Sequence, residues 1–287
     1  LFKAIIKVNN EVAMLGRSLG VSASEAANVR QHFVNVANDL NRLGVDYDDI
    51  LNSQVALNDA LGTGASMISR DILGGMADLQ KRMKLTVEST IGFGKAAMLS
   101  NQTTAELAEN VAAAANAAGN EFGVRVDINK VMEKTGKIGG QLRAIYGANL
   151  EVMSQSVAKA QLLGFELAEI KNQSKGILDF QSSIEKEFKA ELFLGKQLNL
   201  ERARLAGLTG DLDTYMDEIT KNAGDFYEFS QLNVLQQDAV ARSLGMSSDQ
   251  LSDMLLKEAD LELMKTKAKA DGNDQILNQL TALDTQE

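Results

Sequence analysis

Proline is missing from all 287 residues of this chain, and that one absence narrows the available architectures more than any motif does. A proline inside a helix deletes a backbone hydrogen bond and strikes the preceding turn, at a cost of about 3 kcal/mol. A chain made of long helices therefore excludes it. Cysteine and tryptophan are absent as well, and aromatic residues are only 5% of the total, so the bulky anchors of a typical enzyme core are scarce. The expected fold class is all-α: an elongated array of long helices and helical hairpins, packing in an oligomeric assembly.

Such helices need explicit stops and starts, and the stretch Ala239 to Met254 spells out both. Leu244-Gly245 reads as a stop, because glycine enters the left-handed conformation that closes a helix without the penalty other residues meet. Met246-Ser247 reads as the restart. Ser247 can cap the free amides of the next helix while Gln250 reaches back to the amide of the cap, and Met246 and Leu251 hold the flanking apolar staple positions. Arg17 to Glu25 repeats the residue types of Arg242 to Gln250 position for position. Arg42-Leu43-Gly44-Val45-Asp46 repeats the first half, with Asp46 as cap and Ile50 four residues on. Phe122-Gly123 followed by Asp127, between Val126 and Val131, is a looser copy. Thr103 with Glu106 forms another capping box, and Leu163-Gly164 and Ala206-Gly207 read as stops. These Leu-Gly-x-Ser/Asp turns are irregularly spaced, which speaks against a fixed-period solenoid.

Composition divides the chain into three regions. Residues 1–61 read as helical hairpins, with one apolar stripe at Phe2, Ile5, Ile6, Val12 and Leu15 and another at Val29, Phe33, Val36, Ala37 and Leu40. Residues 62–148 form a Gly/Ala-rich helical region: 12 of the 23 glycines lie between Gly62 and Gly147. That region is expected to be the least rigid, with small residues letting helix backbones approach closely. Residues 149–287 carry the longest helices. Ile177, Phe180, Ile184, Phe188 and Leu192 line up as a stripe that needs a covering partner, with Glu185 and Lys189 on another face. Leu251 to Ala270 is a second strong helix, in which Glu258, Asp260 and Glu262 precede Lys265, Lys267 and Lys269 in the order the helix dipole favours. Its charges read as a solvated face. Gly272 is expected to close it, and Gln275 to Leu283 to form a short last helix.

Little in the sequence points to chemistry. The net charge is −10 and the basic residues are scattered among acids, which argues against nucleic acid as the main partner, since phosphate binding needs clustered cations. No run of 18 apolar residues offers a membrane span. Without cysteine there is no disulfide, thiolate ligand or thiol nucleophile. His32, the only histidine, reads as a helix-face residue and not as a base or metal ligand. Gly92-Phe93-Gly94-Lys95-Ala96-Ala97 fits GxGxxA and Gly62-Thr63-Gly64 opens a partial match, yet neither follows the strand that gives a dinucleotide fingerprint its mechanism. Both read as glycines in a helix or turn. Asp271-Gly272-Asn273-Asp274 lacks the alternating oxygens and distal glutamate of a calcium loop and reads as a turn. Tyr146, Tyr215 and Tyr227 are too scattered for a base-stacking platform. The sequence thus offers no catalytic, cofactor-binding or metal-ligating residue and implies no cofactor, and the chain is not read as an enzyme. It begins with Leu1 instead of methionine, and is read as an ordered fragment of a longer polypeptide or a processed product.

Between residues 191 and 254 four stretches carry a likeness: Leu194-Gly195-Lys196-Gln197-Leu198-Asn199-Leu200-Glu201, the turn Leu208-Thr209-Gly210-Asp211-Leu212, the run Leu232-Asn233-Val234-Leu235-Gln236, and the restart Arg242-Ser243-Leu244-Gly245-Met246-Ser247. This segment, about a quarter of the chain, resembles the tail tape-measure proteins of large tailed bacteriophages; the rest is similar only in its proline-free, helical character. The resemblance implies a structural virion protein in the lumen of the tail tube that sets tail length and leaves ahead of the DNA at infection. It also implies self-association in a few symmetric copies and contacts with tail tube and tail tip or baseplate proteins. A continuous helix of this length would span about 430 Å at 1.5 Å per residue, but the stop-restart turns fold helices back, so a folded region near one end of the tail is expected and not the measuring rod. Two alternatives share the same helical, low-aromatic make-up. One is an internal ejection or core protein of a short-tailed phage, and the other is a cell-wall-active module carried on such a chain. A sustained helical coil of the chemoreceptor kind is disfavoured by the glycines between 62 and 147.

Overall fold

The computed structural model describes residues 2–62 and 68–270. Among these residues the chain is all-α, with sixteen α-helices, one 3-10 turn and no strand. The turn expected at 271–274, the stop at Gly272, the helix expected at 275–283, and Thr63 and Gly64 lie outside the described residues.

The chain packs as two compact units. The first holds the described residues up to Ala112 together with Ile128–Glu151, and the second holds Ala113–Asp127 together with the described residues from Val152. The three compositional regions do not coincide with these units, since residues 62–148 are shared between both.

In the first unit, α1 (Phe2–Leu19), α2 (Ala23–Leu40) and α3 (Tyr47–Leu61) are followed by α4 (Arg70–Arg82), α5 (Val87–Ser100) and the start of α6 (Thr104–Glu121), then by α7 (Ile128–Lys137) and α8 (Gly140–Tyr146). At the first turn Gly20 takes φ +68°, and the Val21 amide donates back to the Gly16 carbonyl at 3.0 Å. Ser22 then accepts from the Glu25 amide at 3.3 Å while its own amide donates to the Glu25 carboxylate at 3.0 Å. Asp46 and Asp49 make the same reciprocal pair at 3.1 and 2.9 Å. Thr103 and Glu106 do so at 3.1 and 2.7 Å. Each arrangement supplies two of the amide partners that a helix start otherwise lacks. The α5 helix ends on Asn101 at φ +57°, a stop made without glycine. Leu15, Phe33, Ile50, Leu57, Leu73, Met76 and Phe93 form the buried centre.

Glycine in the middle of the chain is a packing device. A Cβ built on Gly92 of α5 would stand 1.8 Å from the carbonyl oxygen of Gly136 in α7, and one on Gly136 would stand 2.3 Å from the Ser89 carbonyl oxygen. The two helix backbones therefore touch. Gly94 lies against Met76, where a Cβ would be 2.6 Å from the sulfur. The GxGxxA run is thus the interior of α5, held between neighbours.

The second unit takes the end of α6 and most of α9 (Leu150–Leu162), then α10 (Leu167–Gly176), α11 (Phe180–Leu194), α12 (Glu201–Thr209), α13 (Leu212–Ala223), α14 (Phe226–Ser230), α15 (Val234–Ser243) and α16 (Ser248–Ala270). In the Leu244-Gly245 turn Leu244 is buried and Gly245 half-buried. The Met246 amide donates to Ala241 at 2.9 Å, and Ser247 and Gln250 close their reciprocal pair at 3.0 and 3.2 Å. The fully buried Tyr215 of α13 donates its hydroxyl to the Leu244 carbonyl at 3.1 Å. Met246 and Leu251 are both buried as well.

Two sequence expectations need correction. Ala206-Gly207 is not a stop: α12 continues to Thr209, Gly210 takes φ +77°, and the Asp211 amide donates to Ala206 at 2.9 Å. Gly207 is instead a contact point, where a Cβ would meet the Ser174 carbonyl oxygen at 3.1 Å. The stripe from Ile177 to Leu192 is not one helix either. Ile177 closes α10 and is buried, and α11 begins at Phe180 because Asp179 accepts from the Ser182 amide at 3.4 Å and caps it.

Gly20 and Gly245 share a left-handed backbone but not an environment. At Gly20 a Cβ meets nothing within 4 Å, whereas at Gly245 it would stand 2.8 Å from the Gln173 carbonyl oxygen and 3.2 Å from an Ile177 methyl. Urea unfolding should show Gly20→Ala losing about 1 kcal/mol and Gly245→Ala losing about 3 kcal/mol or more.

Candidate functional site

The second unit carries a groove of about 610 Å³ between the end of α13, α14 and α16. The local sequence builds it. Gly224, at φ +79°, turns the chain out of α13, and Asp225 accepts from the Glu228 amide at 2.7 Å to start α14 at once. That short helix packs on α16 and brings Phe226 and the exposed Tyr227 to the groove together with Leu255 and Ala259.

Glu258 and Glu262, one helical turn apart on α16, also line the groove. Burial and then the neighbouring Glu262 charge raise the Glu258 carboxyl above its ordinary value. Two like charges at this spacing repel, and Lys221 is the only cation among the described residues that line the groove. An apolar floor beside acids in excess suits an apolar side chain next to a cationic head. Glu258 is half-buried, which corrects the reading of the α16 acids as a uniformly solvated face.

A second cluster lies inside the same unit. Lys159 of α9 has a buried side chain, and its ammonium stands 2.5 Å from Asp217, 3.3 Å from Glu121 and 3.7 Å from Asp213. Burial alone would lower its pKa, but the Asp217 hydrogen bond and the surrounding carboxylates reverse that and raise it. Asp213 moves upward too: burial comes first, Lys159 opposes it, and Asp217, Glu121 and Asp211 add to it. One cation serves three acids, and Asp217 takes the short contact. Nothing local announces this cluster, since its members come from three helices between positions 121 and 217.

His32 is a half-buried residue of α2, packed at a ring distance of 6.2 Å from Phe33. Tyr215 is a core hydrogen-bond donor, and burial raises its pKa. Tyr227 is 73% exposed. Among the described residues no group of three or more His, Asp or Glu side chains is placed to hold a metal ion, and no helix is long and apolar enough to cross a membrane. No protein-family model, curated protein or solved structure matches the chain.

A row of exposed apolar residues lies on α11. Phe180, Ile184, Phe188 and Leu192 are 47%, 54%, 66% and 71% exposed. The opposite face of α11 carries Ser183 and Ala190, both buried, and Glu187. Arg204 of α12, itself buried, donates to the Ser183 hydroxyl at 2.9 Å and pairs with Glu187. Glu187 and Glu191 accept from the Leu200 and Leu198 amides at 3.1 and 2.8 Å. The helix is inside out, with polar groups toward its own unit and apolar groups toward solvent.

Glu258 holds its proton more tightly folded than unfolded, so its contribution favours the folded state below the ordinary value of 4.5 and is lost as pH rises through the raised value. At pH 7 its charge therefore opposes folding. Glu258→Gln should raise Tm at pH 7 by about 1–2 °C, and scanning calorimetry should find that gain gone at pH 3. Lys159→Met should act in the other sense. It leaves three carboxylates without their cation, at a cost of about 2–3 kcal/mol at pH 7 that shrinks in acid as the carboxylates protonate.

Proposed function

We propose that this chain is a structural part of a bacteriophage tail of the tape-measure kind: a folded segment in or near the tail tube that self-associates and contacts tube and tip proteins. On this reading the parent protein sets tail length during assembly and leaves ahead of the DNA at infection. The observation that carries the assembly role is the inside-out helix α11, because four large apolar side chains held out in water are a cost to an isolated chain and a benefit to one with a permanent neighbour. The tail itself rests on the resemblance between residues 191 and 254. A net charge of −10 suits a lumen occupant, since a negative surface does not retain passing DNA.

The reading is tested in purified virions of the phage that encodes the chain. Quantitative mass spectrometry should find it in tails at a few copies against many of the tube protein, and in-frame deletion of α11 should abolish tail completion. Duplicating α16 should leave tail length unchanged, because a folded segment is not the ruler. Absence from tails, or recovery only from the head interior, would refute the proposal, and the second result would favour an internal ejection protein.

A further inference from the structure

The charges beside the α11 stripe select its partner. Phe180, Ile184, Phe188 and Leu192 follow one another at intervals of four residues, the ridge along which helices most often interlock. Glu185 and Lys189 run along the exposed edge of that ridge, whereas the carboxylates beyond its other edge, Glu187 and Glu191, are turned into the unit, onto Arg204 and the Leu200 and Leu198 amides. The exposed edge is not neutralised by an ion pair along its own helix: Glu185 accepts from Gln181 at 3.4 Å, and the Lys189 ammonium sits over the Phe193 ring at 5.7 Å.

Two helices meeting on this ridge have two orientations. In parallel, opposite edges meet, and Glu185 and Lys189 face an edge whose carboxylates are already held inside the neighbour's own unit, so no new pair forms. In antiparallel fashion about a two-fold axis, like edges meet. Glu185 then faces Lys189 of the second copy and Lys189 faces its Glu185, two complementary pairs from one symmetry operation. The same operation, centred between Ile184 and Phe188, places Phe180 on Leu192 and Ile184 on Phe188, an aromatic against an aliphatic at every contact. We propose that the exposed face of α11 is a self-recognition surface, and that its occupant is α11 of a second copy of this chain in antiparallel orientation.

The area is sufficient. The four side chains leave roughly 400 Å² of apolar surface per copy. Phe193, Val234 and Leu235, which are 40%, 78% and 70% exposed, extend it where Gln236 of α15 donates to the Phe193 carbonyl at 2.8 Å. Together they bring the pair to about the 1,200 Å² at which specific interfaces begin. This proposal does not depend on where the chain acts.

Sedimentation velocity on the full chain from about 1 to about 100 µM should show a monomer–dimer equilibrium. Phe188→Glu should leave a monomer at every concentration with its helical circular dichroism unchanged, since Phe188 contributes little to its own fold. Glu185→Lys and Lys189→Glu should each weaken the dimer about 3–10-fold, and the double variant should restore it. A parallel pair predicts little change for either charge variant and no restoration in the double variant. The proposal is overturned if the wild-type chain stays monomeric at 100 µM, if Phe188→Glu still dimerises, or if the double variant is no stronger than the singles. It is equally overturned if only truncation after Ala270 exposes dimerisation, for then Ile276, Leu280 and Leu283 of the same chain are the occupant.

Discussion

Every helix end leaves four amides or four carbonyls without a partner in the helix, and a chain with sixteen helices in its described residues meets that problem at short intervals. At many of these ends the solution is local. A stop places one residue in the left-handed region and lets the following amide reach back five residues, as Val21 does to Gly16, Val124 to Gly119, Phe165 to Ala160, Asp211 to Ala206 and Met246 to Ala241. Many starts then use a short polar side chain, as Ser22, Asp46, Asn233 and Ser247 do with an acid or amide three residues on, whereas α4, α8 and α12 begin without a side-chain cap. Because these turns satisfy their own backbone, the helices they join can be short, and small residues such as Gly92 and Gly136 let them approach closely.

That locality explains what could be read in advance. Ser22 with Glu25, Thr103 with Glu106 and Ser247 with Gln250 are contacts within four residues, and their partners are fixed by spacing alone. The errors share a different origin. Gly207 and Gly210 are equally able to end a helix, and what decides between them is the Ser174 carbonyl pressed against Gly207, a neighbour 33 residues away. Asn101 ends α5 in a conformation usually given to glycine, so its stop carried a weaker signal. Ile177 looked continuous with Phe180 because the apolar interval is right. The cap at Asp179 is what separates them. The Lys159 cluster and the groove at Glu258 were invisible for the same reason, since both are made by helices distant in sequence.

The two charged clusters also show opposite treatments of burial. Around Lys159 the carboxylates outnumber the cation, so removing the lysine is worse than removing any one acid. At Glu258 burial and the Glu262 charge act in the same direction and raise the carboxyl above its ordinary value. A buried ion pair is by itself weak evidence for stability.

The inside-out helix follows from the same competition between local and distant partners. Rotating α11 about its axis would bury Phe180, Ile184, Phe188 and Leu192, and burial of that area favours such a rotation by several kcal/mol at about 25 cal/mol per Å². It does not occur because the opposite face is already committed. Arg204 is buried against Ser183 and Glu187, and the Leu198 and Leu200 amides end on Glu191 and Glu187. Turning the helix would strand a buried guanidinium and two amides, and a single uncompensated buried charge costs about as much as the apolar gain. The polar face thus fixes which way the helix points, and the apolar ridge is left exposed by the chain's own hydrogen bonding.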